Sequence, residues 1–224
     1  MTLPLAILLL IMSGPLLSAP RRSSGVSEPS RIGPDAVWRP DAAFLKRFHQ
    51  SCDALSGPQF GECFVREMQK SGASPAAVTF ARYTENQGYL TAFRETGRVD
   101  VAWAEYPYRA NESQLCFLVN GSPPMIDVDD PRILERRELA SRPVYAGIAG
   151  KYPNVAIFPG PRTGADSVRV MSRPHGGLRF EVSYSLHDGC HACATVGSAR
   201  FGFDFDADGR FVKTHVVAVE ATSP

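Results

Sequence analysis

The apolar residues change their spacing near Gly88, and this change restricts the fold. Before Gly88 they recur at the three- and four-residue intervals of helices, and after it they follow the alternation of strands. Helices followed by strands predict an α+β fold, with an N-terminal helical hairpin and short helices packed on a mostly antiparallel β-sheet. The chain contains no Gly-x-Gly-x-x-Gly or Walker sequence, which disfavours a dinucleotide-binding fold.

Local signals place the individual elements. Asp41 and Ser74 are typical N-cap residues, and Pro75 suits the first position of a helix. Helices are predicted over Asp41–Cys52, from Ser74 to about Tyr83, and over Pro131–Ala140. Another helix is predicted after a turn at Gly57-Pro58; it is lined by Phe60, Phe64, Val65 and Met68 and ends at Gly72. Strands are predicted over Tyr89–Glu95, Arg98–Tyr106, Gln114–Asn120, Val155–Phe158, Ser167–Met171, Leu178–Leu186, Ala199–Phe205 and Phe211–Val219.

The N-terminus has the pattern of an export signal. An uncharged apolar run over Leu3–Met12 is broken by Gly14-Pro15, and small residues end at Ala19. We expect residues 1–19 to be a signal peptide, 20–38 a flexible linker rich in Arg, Ser, Pro and Gly, and 39–224 a single α+β domain. A short uncleaved anchor is the alternative, but Leu3–Ala19 is short for a membrane span. The expected location is the periplasm or the extracellular space, with no stable membrane span after cleavage.

The composition limits the class of protein and the kind of partner that the chain can have. The chain is 44% hydrophobic and has a net charge of +1, which excludes a disordered chain and disfavours nucleic acid as a partner. The chain has five cysteines, and in an oxidising compartment disulfides are the default expectation. Cys52 and Cys63 lie at facing helix ends, so we expect a disulfide that closes a loop of about 12 residues. Cys116 is expected to be a buried thiol in an apolar strand.

The densest reactive cluster lies between two predicted strands and comprises His187, Asp188, Cys190, His191 and Cys193. Three interpretations stay open: a structural disulfide between Cys190 and Cys193, a thiol-redox pair, or a zinc or copper site that uses the thiols and both histidines. No helix is predicted after Cys193, although redox C-x-x-C motifs use a helix N-terminus. We expect no cofactor, and zinc or copper at this cluster is the alternative.

Two further tracts carry polar or aromatic residues. Asp127, Asp129 and Asp130 precede Pro131, where carboxylates cap a helix and complement its dipole. The tract from Tyr106 to Glu112 contains tyrosine and arginine, which are common in binding hot spots, although a solvated turn explains it equally well.

The Cys190–Cys193 loop with its following strand hairpin resembles the exported lysozyme-inhibitor proteins of bacteria. Those proteins carry a histidine inside a disulfide-closed loop that enters the cleft of the partner enzyme, and His191 holds the corresponding place here. The loop encloses only two residues, fewer than in that family, and the similarity covers a small part of the chain. The resemblance implies a class of protein: an exported binder that presents a rigid loop.

The sequence therefore predicts an exported, non-enzymatic binding protein that presents the constrained loop around Cys190–Cys193 to a protein or envelope partner. The chain has no Gly-x-Ser-x-Gly elbow or other catalytic signature. The alternative is a thiol-redox or metal-binding protein that uses His187, Cys190, His191 and Cys193.

Overall fold

The computed structural model describes residues 31–109, 113–162 and 167–222. They belong to one compact unit, Arg31–Pro224. The predicted signal peptide, residues 1–19, and the first part of the predicted linker lie outside the described residues. No helix in the described part of the chain is long and apolar enough to cross a membrane.

Three helices come first, as the sequence predicts: α1 (Ala42–Cys52), α2 (Gly57–Lys70) and α3 (Pro75–Tyr83). Asp41 Oδ1 accepts a hydrogen bond from Phe44 N at 2.6 Å, and Ser74 Oγ accepts one from Ala77 N at 3.0 Å. Both predicted N-caps are therefore present. The Cys52–Cys63 disulfide joins the end of α1 to α2, with the two Cα atoms 5.8 Å apart.

Two antiparallel sheets follow. The four-stranded sheet has the order β1-β2-β3-β4 and consists of β1 (Tyr89–Arg94), β2 (Asp100–Glu105), β3 (Gln114–Val119) and β4 (Met125–Asp127). The five-stranded sheet consists of β5 (Val155–Pro159), β6 (Val168–Ser172), β7 (Leu178–Asp188), β8 (Thr195–Phe205) and β9 (Phe211–Ala221). Its order is β5-β7-β8-β9, and β6 pairs with the first half of β7 while β5 pairs with the second half.

The four-stranded sheet lies in the middle of three layers. One of its faces, which includes Ala102 and Phe117, packs on Phe80 of α3. The other face, which includes Val101 and Trp103, packs on the inner face of the five-stranded sheet. The predicted α+β class is thus confirmed, with the antiparallel strands divided between two stacked sheets.

The segment between β4 and β5 differs from the prediction. The single helix expected over Pro131–Ala140 is a 3-10 turn, Pro131–Ile133, followed by α4 (Arg136–Ser141) and α5 (Pro143–Lys151). Pro143 separates the two helices, because proline is well placed at a helix start and cannot continue α4. The sequence also did not predict the short strand β4.

Helix α4 covers the free edge of β9. Glu138 Oε2 accepts a hydrogen bond from Val216 N at 2.9 Å, and Arg142 Nη2 donates one to Val216 O at 2.6 Å. Glu138 and Arg142 also form an ion pair with each other at 2.6 Å. Side chains thereby satisfy backbone groups that a neighbouring strand would otherwise pair.

The second part of the predicted linker is packed on the helices and the four-stranded sheet. Trp38 N donates to Leu90 O at 2.9 Å, and the Trp38 ring meets the Phe44 ring edge-on at 4.7 Å. Ala36 and Trp38 are both buried. Residues 31–38 thus pack against the folded region, although they fall within the predicted linker range of 20–38. The sequence analysis missed these contacts because the segment is polar and rich in proline, with few apolar residues such as Ala36 and Trp38.

Loss of the α1–α2 disulfide is expected to lower stability more than loss of the disulfide at Cys190–Cys193. Because the Cys52–Cys63 bond closes a loop of about 12 residues, the variant Cys52→Ala/Cys63→Ala should lose about 3 kcal/mol in the free energy of unfolding. The matched variant Cys190→Ala/Cys193→Ala opens a loop of about four residues and should lose about 2 kcal/mol. Urea denaturation followed by circular dichroism measures both values. The reverse order would contradict the structural role assigned to Cys52 and Cys63.

Candidate binding site

The predicted cluster lies at the tip of the hairpin formed by β7 and β8. The two strands pair from Leu178 with Phe205 to His187 with Thr195, and residues 189–194 connect them. The Cys190–Cys193 disulfide closes this connection, with the two Cα atoms 5.0 Å apart. We refer to residues 187–195 as the hairpin tip.

Backbone hydrogen bonds fix the shape of the hairpin tip. Asp188 N donates to Ala194 O at 3.0 Å, and Cys193 N donates to Cys190 O at 3.1 Å. Gly189 has a φ of 89°, a left-handed conformation that glycine adopts without strain. The tip is therefore constrained by strand pairing, by the disulfide and by its own turn.

Two imidazoles and one phenyl ring form the side-chain surface of the tip. Phe158 of β5 lies 5.2 Å from the ring centre of His187 and 5.4 Å from that of His191. The two imidazole centres are 6.0 Å apart. His191 is exposed, whereas His187 is half-buried and its Nδ1 has no hydrogen-bond partner among the described residues. The arrangement offers a partner apolar ring surface and the exposed His191 imidazole.

An open groove of about 420 Å³ adjoins the tip. Both imidazoles line it, together with the end of β5 and the residues that follow. Its lining comprises Ser113, Gln114, Pro159, Gly160, Pro161, Arg162, Ser185, His187, His191 and Thr195.

The segment after β5, which lines the groove, passes very close to β7. A Cβ atom at Gly160 would lie 2.7 Å from Ser183 O, so only glycine fits there. Arg162 Nη1 donates to the same carbonyl oxygen at 2.8 Å. The segment that follows β5 is thus held directly against the hairpin.

A buried ion pair holds Arg162, one of the lining residues of the groove. Arg162 donates from Nε and Nη2 to Asp129 Oδ1 at 2.9 and 2.6 Å, and the two side chains are 1% and 2% exposed. Asp129 Oδ2 accepts a hydrogen bond from Cys116 N at 3.1 Å. Burial alone would lower the pKa of Arg162, but the Asp129 carboxylate more than offsets this and raises it. Arg162 therefore remains charged, and its contact with Asp129 links β3 to the segment after β5.

Tyr184 extends this network. Its hydroxyl donates to Val128 O, and the Arg162 guanidinium lies 5.0 Å from the centre of its ring. Burial raises the pKa of the Tyr184 hydroxyl well above its usual range. The phenol is therefore a neutral donor, and its position supports a structural role.

The neighbouring aspartates Asp129 and Asp130 have different roles. Asp130 accepts from Arg132 N at 2.9 Å and begins the 3-10 turn, as the capping interpretation predicts. Asp129 instead enters the buried pair with Arg162, which the sequence did not indicate because the two residues are far apart in the chain. Phe158 and Gly160 were likewise missed as parts of the site, although Val155–Phe158 was predicted as a strand and Pro159-Gly160-Pro161 is a strong turn signal.

The state of the cysteines bears on the redox and metal interpretations. Both tip sulfurs are in a disulfide, so the side-chain donors that remain at the tip for a metal are the His187 and His191 imidazoles and the Asp188 carboxylate. The described residues contain no group of three or more His, Cys, Asp or Glu placed to hold a metal ion. After Cys193 the chain enters β8, so this part of the structure lacks the helix N-terminus that activates thiols in redox motifs. Cys116 is buried and free, and burial raises the pKa of its thiol.

Comparisons with protein families, with curated proteins and with solved structures found no match to this chain.

Removal of the Arg162 side chain is expected to destabilise the protein strongly. The variant Arg162→Met leaves the Asp129 carboxylate buried and unpaired, so the free energy of unfolding should fall by about 3–5 kcal/mol. Adding Asp129→Asn removes that charge and retains an acceptor for Cys116 N, so the double variant should regain at least about half of the loss. Urea denaturation monitored by tryptophan fluorescence tests both. A single variant within about 1 kcal/mol of the parent would show that the pair does not hold the groove.

Proposed function

We propose that the protein is an exported, non-catalytic binding protein whose hairpin tip contacts a protein or cell-envelope partner. The observation that carries the proposal is the exposed His191 on a disulfide-closed hairpin, beside Phe158, His187 and an open groove. The hairpin tip suits a concave surface on the partner, and the adjacent groove suits a convex one.

Preorganisation supports this use of the tip. A free flexible loop loses conformational entropy when it binds, and this loss reduces affinity. The disulfide and the paired strands have already restricted residues 189–194 before binding. Restraint of this kind serves a binding surface better than a catalytic loop that must open and close.

The two disulfides are compatible with export. Such bonds persist in the periplasm and outside the cell, and they are rare in the cytosol. Cys52–Cys63 and Cys190–Cys193 fit that setting, and the predicted signal at residues 1–19 would supply the route.

The test is site-specific photo-crosslinking from the tip. A photoreactive amino acid placed at position 191 should crosslink one partner from the exported fraction of the native cells, and mass spectrometry identifies it. The matched control carries the same group at Ala207, an exposed residue in the turn at the opposite end of β8. Equal crosslinking of that partner from both positions would contradict the proposal.

Binding by the purified partner then gives the quantitative result. His191→Ala and Phe158→Ala should each raise Kd about tenfold, because hot-spot residues are worth more than about 1 kcal/mol. Ala207→Ser should leave Kd unchanged. Unchanged affinity in both tip variants would show that the partner binds elsewhere.

The alternative function uses Cys190, His191, Cys193 and His187 for thiol-redox or metal chemistry, and the exposed Cys190 beside two imidazoles is the observation that favours it. Thiol trapping in glutathione buffers at about −200 mV distinguishes a structural disulfide from a redox-active one. A structural disulfide stays oxidised there. Reduction of the Cys190–Cys193 bond, or zinc or copper retained by the parent and lost in Cys190→Ser, would favour the alternative.

A further inference from the structure

A second cavity lies on the other side of the four-stranded sheet, among the helices. It is bounded by the N-terminal turn of α2 (Gly57–Gly61), by residues 85–87 after α3, and by residues 106–109 after β2. Its volume of about 550 Å³ is within the range of small-molecule sites. We refer to it as the α2 cleft.

The turn after α3 forms one wall of the α2 cleft. Glu85 and Asn86 have φ angles of 56° and 61°, and Asn86 N donates to Ala81 O at 2.8 Å. A Cβ atom at Gly61 would lie 2.8 Å from Asn86 Cβ, so glycine permits α2 to pack directly on this turn. Two residues with left-handed backbone are thereby held in place, and the Glu85 side chain lies at the cleft.

A preoriented cation lies on the second wall. The Arg109 guanidinium stacks on the Tyr106 ring with its central carbon 3.9 Å from the ring centre. The Tyr106 ring is itself supported by Gly88, where a Cβ atom would approach within 2.9 Å of the ring. Arg109 makes no side-chain hydrogen bond or ion pair with the other described residues. Its N–H groups are therefore available for a planar anion such as a carboxylate.

Two carboxylates share the same cleft without neutralising this cation. Glu62 and Glu85 are both exposed, and Glu62 Oε1 accepts a hydrogen bond from Asn86 Nδ2 at 3.2 Å. Neither forms an ion pair with Arg109 or with any other residue in the described part of the chain. The cleft therefore presents separated charges of opposite sign.

The third component of the α2 cleft is an aromatic surface. Phe60 lines the cleft, and its ring meets the Tyr108 ring edge-on at 4.9 Å. Tyr108 in turn stacks on Phe48 of α1 at 4.4 Å. An apolar side chain of a ligand would find aromatic surface between the two charged walls.

We propose that the α2 cleft binds a small zwitterion: a free α-amino acid or a short peptide with an apolar side chain. Arg109 pairs with the ligand carboxylate, Glu62 and Glu85 pair with its ammonium group, and Phe60 and Tyr108 contact the side chain. This site is independent of the hairpin tip, and its failure leaves the proposed macromolecular binding untouched.

Isothermal titration calorimetry with four related compounds tests the charge assignment. L-Leucine and L-leucyl-L-leucine carry both charges and should bind saturably at one site. L-Leucinamide lacks the carboxylate and N-acetyl-L-leucine lacks the ammonium, so each should bind at least about tenfold more weakly than L-leucine. The ratio of the first two affinities distinguishes an amino-acid site from a peptide site. No saturable binding of either zwitterion up to about 10 mM, or equal binding of L-leucine and L-leucinamide, would overturn the proposal.

Variants assign each charge to a residue. Arg109→Ala should raise Kd about tenfold for L-leucine and leave Kd for L-leucinamide unchanged, because the amide has no carboxylate to lose. Glu62→Gln/Glu85→Gln should weaken L-leucine but not N-acetyl-L-leucine.

The matched control for these variants is Arg137→Ala, an exposed arginine on α4 that lies outside the cleft. It should bind L-leucine like the parent, and thermal unfolding verifies that each variant is folded. If Arg109→Ala binds L-leucine like this control, the assignment is wrong.

Discussion

The buried Asp129–Arg162 pair is the interaction on which the arrangement of the two sheets depends. Asp129 accepts from the backbone of β3, and Arg162 donates to the backbone of β7, so one ion pair connects both sheets. Burial of two charges is costly, and the cost is offset only when their hydrogen-bonding groups are satisfied. The two hydrogen bonds from Arg162 to Asp129 Oδ1, the two bonds to backbone groups and the adjacent Tyr184 ring meet that condition. Apolar packing alone would stack the sheets, whereas this pair specifies where the segment after β5 lies.

The hairpin tip gains its rigidity from the same framework. β7 pairs with β8 on one side and with both β5 and β6 on the other, so in the described part of the chain it is the only strand with three partner strands. Arg162 and Gly160 hold the segment after β5 against Ser183 of that strand. The groove beside His187 and His191 therefore has two walls fixed to one strand. A surface of this kind favours recognition of a partner with little rearrangement.

Sequence patterns predicted the elements whose signals are local. The caps at Asp41 and Ser74, the strand alternation after Gly88 and the cysteine pairs depend on neighbouring residues, and the structure has all of them. Contacts between distant residues were not predictable: Asp129 with Arg162, and Phe158 with the tip histidines. A single sequence contains no information on which acidic residue meets which arginine across a core. Pro143 is a local signal for the start of a second helix, α5. The prediction missed it because the helix was assigned to Pro131–Ala140 alone.

The covering of β9 by α4 has a consequence for association. Glu138 and Arg142 occupy the backbone N–H and carbonyl of Val216, the groups that an incoming strand would need. A second molecule can extend the five-stranded sheet at this position only after α4 has moved away, and that movement breaks an ion pair and exposes the buried Leu139. Helix α4 therefore blocks the addition of a further strand to the five-stranded sheet at this position of its β9 edge.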